Sequence, residues 1–387
     1  MLVCFGFRMQ NVKFSIEKKL RLIRAGKLTT KYGEIKTPVF MPVGTLASVK
    51  AIFPKELENL GVEIILANTY HLMQRPGDEL IKEMGGVQNF MSWNKPVLTD
   101  SGGFQVWSLS KLKEISEKGI FFKSHLDGNT IFLSPERAIE IQENLNSDIS
   151  MVLDECTEYP VSFERAKKSM ELSMRWAERC KNKFNRREGF GLFGIVQGGI
   201  FNELRKYSAN RLSEIGFDGY ALGGLSVGES HEEMIKVIKS ATKYLDENKP
   251  RYVMGIGRPV DIIRSVEQGI DMFDCVLPTR FGRNGRAFTL QGELNLRNAR
   301  FSNDDSVLDP NIESYASNTF SKSYIHHLTK YNEILSSMIL SLHNIAFYKK
   351  MMSDIREGIV NNTFEEVKLK YLKNNEKFKK DKISGKG

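Results

Sequence analysis

Eight short runs of buried-type residues recur along the middle of the chain, at 39–43, 63–67, 96–99, 149–153, 192–196, 220–222, 252–254 and 272–276. Each is apolar with little alternation, the pattern of a parallel strand covered on both faces. Segments with helical spacing lie between them, at 162–181, 203–215, 229–245 and 259–268. Another opens Ser134-Pro135-Glu136, a capping serine followed by proline in the first turn. Eight strands alternating with helices predict an α/β chain folded as a closed (β/α)8 TIM-type barrel. An open doubly wound sheet is the alternative reading of the same periodicity. Polar residues and glycines favour closure, because they collect where the runs end: Asn68, Asp100, Asp154, Gln197, Gly223-Gly224, Gly255 and Asp274. Seven steps lead from Val43 to Asp274 over 231 residues, a mean of 33, close to the ~30 of one βα unit. The longest step, 54 residues from Asp100 to Asp154, contains GIFFKSHLDGNTIFLS. Its two apolar runs about Asp127-Gly128 predict a β-hairpin insertion near 119–134.

The expected organisation is N-terminal strands over 1–37, a catalytic barrel over 38–295, a post-barrel subdomain over 296–345, and a C-terminal helix and basic tail over 346–387. The first ten residues, MLVCFGFRMQ, put an apolar stretch before the first positive charge, the reverse of a secretory signal. They read as a short extension, with Met9 as a second candidate start.

Composition narrows the class. Of 387 residues, 41% are hydrophobic and 27% charged, which excludes a mostly disordered chain. No run approaches the ~18 apolar residues of a membrane span. The net charge of +9 permits an anionic partner. From residue 345 onward there are eleven basic and six acidic residues, so more than half of that charge lies in the last 43. The four cysteines, Cys4, Cys156, Cys180 and Cys275, are never closer than 24 positions, so there is no zinc-knuckle spacing. Their scarcity fits a reduced, cytoplasmic location.

The candidate chemistry sits at the strand ends. Asp100-Ser101-Gly102-Gly103-Phe104-Gln105 puts a carboxylate in the expected barrel mouth, with glycines that allow close backbone approach. Taken alone, this string reads equally well as a helix cap and a plain turn. Asp154-Glu155-Cys156 and Asp274-Cys275 add two carboxylates to the same mouth. Paired carboxylates about a sugar carbon suit glycosidic chemistry, one attacking or activating and the other moving a proton. A metal-binding carboxylate cluster, or caps and ion pairs, is the competing reading. Gln197-Gly198-Gly199 and Gly223-Gly224-Leu225-Ser226 offer an amide and backbone N–H groups able to read a nucleobase edge. Thr279-Arg280-Phe281-Gly282-Arg283-Asn284-Gly285-Arg286 reads as a Gly-containing basic loop with an aromatic, suited to single-stranded RNA. His71, His125, His326, His327 and His343 read as structural.

These strings resemble the bacterial tRNA-guanine transglycosylases. The resemblance runs from about Phe14 to Tyr348 through ILANTYHL, LTDSGGFQVWSL, GIVQGG, ALGGLSVGE, MGIG and FDCVLPTRFGRNG. It implies a TIM-type barrel that exchanges guanine at the anticodon wobble position of GUN-anticodon tRNAs for a 7-deazaguanine, a step of queuosine biosynthesis. Its partners would be the tRNA anticodon loop and the free base, with no membrane and no soluble cofactor. By the resemblance, Asp274 is the nucleophile and Asp100 the general acid/base. Asp154, Gln197 and Gly224 read the base edge, and Phe104 and Met254 sandwich the base. Ser101, Gly102, Gly103, Cys156 and Leu225 line the pocket. The RNA contacts are Gly255, Ile256, Gly257, Arg258, Pro259, Val260, Asp261, Thr279, Arg280, Phe281, Gly282, Arg283 and Arg286. Val227 follows the bacterial pattern and implies 7-aminomethyl-7-deazaguanine as the incoming base, with a queuine-using transglycosylase as the alternative.

One segment departs from that family. Its members carry a post-barrel zinc site of three cysteines and a histidine, and they form homodimers through this region. Here Ile312, Ser314 and Ser317 stand at the cysteine positions, and only His343 remains. An aliphatic side chain cannot ligate zinc, and a hydroxyl is a poor substitute for a thiolate. The expectation is a subdomain without structural zinc, held by apolar packing. A non-catalytic RNA-binding subunit of the same fold is the competing functional reading; retention of both Asp100 and Asp274 argues against it.

Overall fold

The structure, a computed structural model, describes residues 11–109 and 112–372. The expectations for the first ten residues and for the basic tail beyond 372 fall outside the described residues.

Eight parallel strands close into a barrel: β1 (Val39–Gly44), β2 (Ile65–Ala67), β3 (Val97–Thr99), β4 (Ile149–Met151), β5 (Gly191–Val196), β6 (Gly219–Leu222), β7 (Arg251–Val253) and β8 (Met272–Cys275). They pair in chain order, and β8 returns to β1 with Asp274 opposite Met41. Every residue of β1 and β5 is buried, as the uniformly apolar runs require when side chains on one face fill the barrel and those on the other meet helices. Each of the eight expected strands is present to within two residues. The open-sheet alternative is excluded by the β8–β1 pairing.

Local signals set the helix starts. Ser134 Oγ accepts from the Arg137 N–H at 3.1 Å, with Pro135 in the first turn. Ser162 caps Phe163–Lys183, and Ser230 with Glu233 forms a reciprocal capping box at His231–Ala241. A three-stranded antiparallel sheet, Lys13–Leu20, Ile23–Thr30 and Gly33–Thr37, lies before the barrel. It joins the barrel through Arg24, which is fully buried and ion-paired with Asp271 at the start of β8.

The insertion holds one strand more than expected. Gly119–Lys123 and Thr130–Leu133 form the hairpin, with Gly128 left-handed at its tip, and Lys113–Ser116 adds a third strand. That strand, KEIS, has one apolar residue in four, too little for a hydrophobic pattern to register. After the barrel come a hairpin (Arg286–Thr289 and Gly292–Asn295) and helices Tyr315–Asn318, Lys322–Lys330 and Ile334–Val360. The last helix runs unbroken through residues 345 and 346. A second apolar cluster, including Leu296, Phe301, Ile325, Leu328 and Leu340, sits among these elements. Among the described residues no helix is long and apolar enough to cross a membrane.

Candidate active site

The ends of β2 through β8 bring the predicted polar residues to one mouth. Asp100 follows β3 and is almost completely buried. Its Oδ1 accepts from the Thr69 N–H at 2.9 Å, and its Oδ2 from the Gln105 amide at 2.8 Å and from the Asn68 amide. Burial raises its pKa to about 6, against the pull of these three donors, and the Asp274 charge adds to the rise. A carboxyl group poised there can both give and take a proton near neutrality.

Asp274, near the end of β8, is arranged differently. Its Oδ1 accepts from the Tyr252 hydroxyl at 2.5 Å and from the Gly255 N–H at 2.8 Å. Neither donor touches Oδ2, so one oxygen is anchored while the other takes no hydrogen bond from the described residues. Burial raises this carboxyl's pKa, and the two donors oppose the rise. Tyr252 is fully buried, and burial followed by the Asp274 charge holds its phenol protonated well beyond the usual range. It is therefore a permanent donor.

The third carboxylate, Asp154, follows β4. Its Oδ2 accepts from the Gln197 amide at 2.6 Å and its Oδ1 from the Ser101 hydroxyl at 3.3 Å. Burial raises its pKa to about 6. Gly223 and Gly224 pack against the same Gln197: a Cβ on Gly224 would lie 2.6 Å from its Oε1. Gly224 also has φ +62, so its glycine is required twice over. Leu225 and Cys156 are buried beside this group, and burial with the Asp154 charge pushes the Cys156 thiol up to about 12. The thiol is an inert wall.

Phe104 lies on helix Gly103–Leu109 with its ring largely exposed, and Met254 follows β7 half-buried. The turn after β6 is fixed by Glu229, which accepts from the Ser226 and Val227 N–H groups at 2.5 and 3.0 Å.

The predicted RNA segments divide. Arg258, Arg280 and Arg283 expose their side chains, and Gly255 is also exposed. Ile256, Gly257, Pro259, Asp261, Thr279 and Gly282 are buried, and Val260 is half-buried. Residues 279–286 do not form the expected loop: helix Leu277–Arg283 takes up most of them. Its Phe281 stacks on Phe288 with centroids 5.0 Å apart, so this ring serves the interior. Arg286 lies over Phe281 and pairs with Glu293 at 2.6 Å. The helix forms because Pro278 occupies its first turn and its inner face packs on Ile334–Val360.

Four residues of the mouth carried no assigned role in the sequence: Asn68, Thr69, Gln105 and Tyr252. Asn68 stood out only as a polar strand end, and Tyr252 only as an aromatic inside an apolar run.

The post-barrel segment brings Ser314, Ser317 and His343 together. Ser314 Oγ lies 2.7 Å from Ser317 Oγ, which lies 2.8 Å from His343 Nδ1. His343 Nε2 lies 2.8 Å from the Phe288 carbonyl. A carbonyl only accepts, so Nε2 carries the proton and Nδ1 accepts from Ser317. Both ring nitrogens are thus engaged. Burial pulls His343 down to about 4, so the ring is neutral. Ile312 is fully buried in the main core. A sec-butyl side chain, two hydroxyls and an imidazole with no spare lone pair do not fit zinc. Among the described residues no group of three or more His, Cys, Asp or Glu could hold a metal ion.

Comparison with known proteins bears on the family. The family model described as Queuine tRNA-ribosyltransferase matches residues 20–377. A queuine tRNA-ribosyltransferase of Rickettsia massiliae is 51% identical over 351 residues, covering 91% of this chain and 97% of that protein. One of Zymomonas mobilis is 53% identical over 357 residues, covering 91% and 92%.

Proposed function

We propose that this chain, which belongs to the queuine tRNA-ribosyltransferase family, exchanges guanine at the anticodon wobble position of GUN-anticodon tRNAs for 7-aminomethyl-7-deazaguanine. It is a tRNA-guanine transglycosylase. The observation that carries the mechanistic reading is the asymmetry at Asp274, one oxygen held by two donors and the other open.

The free oxygen bonds to ribose C1′ as the C1′–N9 bond breaks, and the bonding pair leaves with guanine. Departing guanine takes a proton from Asp100, whose pKa of about 6 leaves part of it protonated near neutrality. The incoming base returns a proton to Asp100, its N9 attacks C1′, and Asp274 leaves as a carboxylate. Two inversions give net retention, the outcome expected of a covalent ribosyl-enzyme. Asp154, Gln197 and the Gly224 N–H match the donors and acceptors of a guanine edge, with Phe104 and Met254 against its faces. The base must leave the stack to enter, which a single-stranded loop permits at low cost. Arg258, Arg280 and Arg283 offer exposed guanidinium groups to loop phosphates.

The test is incubation with wobble-guanine tRNA and labelled guanine. The wild type incorporates label, and a denaturation-stable protein–RNA adduct accumulates when no base is supplied. Absence of incorporation refutes the activity; incorporation by Asp274→Ala refutes the nucleophile.

A further inference from the structure

Behind the base-reading edge lies an arginine that no step above uses. Arg205, on helix Asn202–Ile215, is fully buried. Its Nε donates to the Gly199 carbonyl at 2.8 Å, and its Nη1 donates to the carbonyls of Val196 at 2.7 Å and Gly223 at 2.8 Å. Among the described residues no carboxylate lies within ion-pairing distance of it, and its Nη2 is buried without a partner. A buried cation with only carbonyl partners is expensive. Burial lowers its pKa to about 10, with Glu229 opposing, so it stays charged at neutral pH.

The three carbonyls belong to the ends of β5 and β6, the strands that deliver Gln197 and Gly224. The Gly223 carbonyl and the Gly224 N–H are the two ends of one peptide, which is trans. In a trans peptide the two point in opposite directions. Anchoring the carbonyl on Arg205 therefore turns the Gly224 N–H away from the guanidinium, and no described residue accepts from it. The Val196 carbonyl and the Gln197 N–H are likewise one peptide, and that N–H is held by Ser208 at 3.1 Å, one turn along from Arg205 on the same helix. Position and charge act together: a cation on the carbonyl end of a peptide polarises it and strengthens its N–H as a donor.

We infer that Arg205 is a positioning residue for base selection, which aims and polarises the Gly224 N–H at the oxygen of a 6-oxopurine-type base. This rests on the reading that Gly224 faces the base. The arginine reaches the substrate only through the peptide it holds.

The test compares guanine with 2-aminopurine, which lacks the six-position oxygen, as competitors of labelled-guanine incorporation by wild type, Arg205→Lys and Arg205→Gln. Lysine keeps the charge but gathers its donors on one nitrogen in place of the planar fork, and glutamine keeps an amide NH2 without charge. The wild type is expected to prefer guanine strongly. In whichever variant melts cooperatively, that preference should shrink ~10-fold or more, the scale of losing one well-aimed hydrogen bond, with KM for tRNA unchanged. An unchanged guanine/2-aminopurine ratio in a folded variant, or a parallel loss of base and tRNA affinity, overturns the role of Arg205. Absence of guanine incorporation by the wild type instead overturns the functional reading beneath it.

Discussion

The barrel mouth and the post-barrel cluster both bury polar groups against an apolar scaffold, and they do so in opposite ways. At the mouth, Asp100, Asp154 and Asp274 keep ionisable carboxyls in places where burial raises every one of their pKa values. Donors surround them, yet Asp274 keeps one oxygen clear of both of its donors. In the cluster, Ser314, Ser317 and His343 form a neutral relay that ends on a carbonyl. On the proposed mechanism, the mouth tolerates costly charge because covalent exchange needs it. The cluster carries no ionised side chain and rests on hydrogen bonds worth ~1 kcal/mol each.

Five experiments break or sharpen that contrast. The largest effect is expected from Asp274→Asn, which keeps the shape and removes the charge: exchange should fall ~10⁴-fold or more, the scale of deleting a covalent nucleophile, and the trapped adduct should vanish from a denaturing gel. A variant that still forms the adduct would move the nucleophile elsewhere.

The cluster should answer in stability and not in chemistry. Ser317→Ala leaves the buried His343 Nδ1 without its donor and should cost about 1–3 kcal/mol in denaturant unfolding, while exchange per folded molecule stays within about twofold. The His343 titration adds a pH signature. Its pKa falls from 6.5 to about 4 on folding. The unfolded chain therefore binds the proton first, and the stability linked to a neutral ring is complete above pH 6.5 and lost as pH falls towards 4. That loss is about 3 kcal/mol. A His343→Gln variant should lack this component; identical pH slopes for the two proteins would contradict a buried neutral ring.

At the mouth, Asn68→Ala removes a donor that favours the Asp100 anion. The alkaline limb of the guanine-releasing half-reaction, expected near pH 6 in the wild type because Asp100 enters it protonated, should then move to higher pH, by roughly one unit for the loss of one such hydrogen bond. A limb moving downward would mean that Asn68 does not stabilise the carboxylate. The smallest effect should come from metal removal: a chelator is expected to leave the melting temperature within about one degree, and elemental analysis to find far less than one zinc per chain. A large destabilisation by chelator would show that hydroxyls and one imidazole had recruited a metal after all.

The barrel was legible in the chain because its signal is local and repeated. Each strand is a mostly apolar run, and a polar residue or glycine at its end marks the same rim. The strand KEIS and the hairpin at Arg286–Asn295 escaped because short polar strands are specified by pairing partners and not by their own composition. The segment around Phe281 was misjudged for a related reason. Glycines and arginines suggest a solvated loop, but the ring is claimed by Phe288 and the helix by the packing of Ile334–Val360.

By itself the sequence determined the eight-step barrel, the rim on which Asp100, Asp154 and Asp274 sit, and a post-barrel segment without cysteine. All three follow from residue type and order. The division of labour was decided only in three dimensions. Asp274 became the carboxylate with an open oxygen because Tyr252 and Gly255 both bond to the other one. Asp100 has a pKa of about 6 because burial outweighs its three donors. Arg205, unremarkable on a helix in sequence, came to stand behind the peptide of Gly224 because β5, β6 and that helix converge there. Hydrogen-bond direction and desolvation depend on neighbours far away along the chain, so they exist only once the barrel has closed.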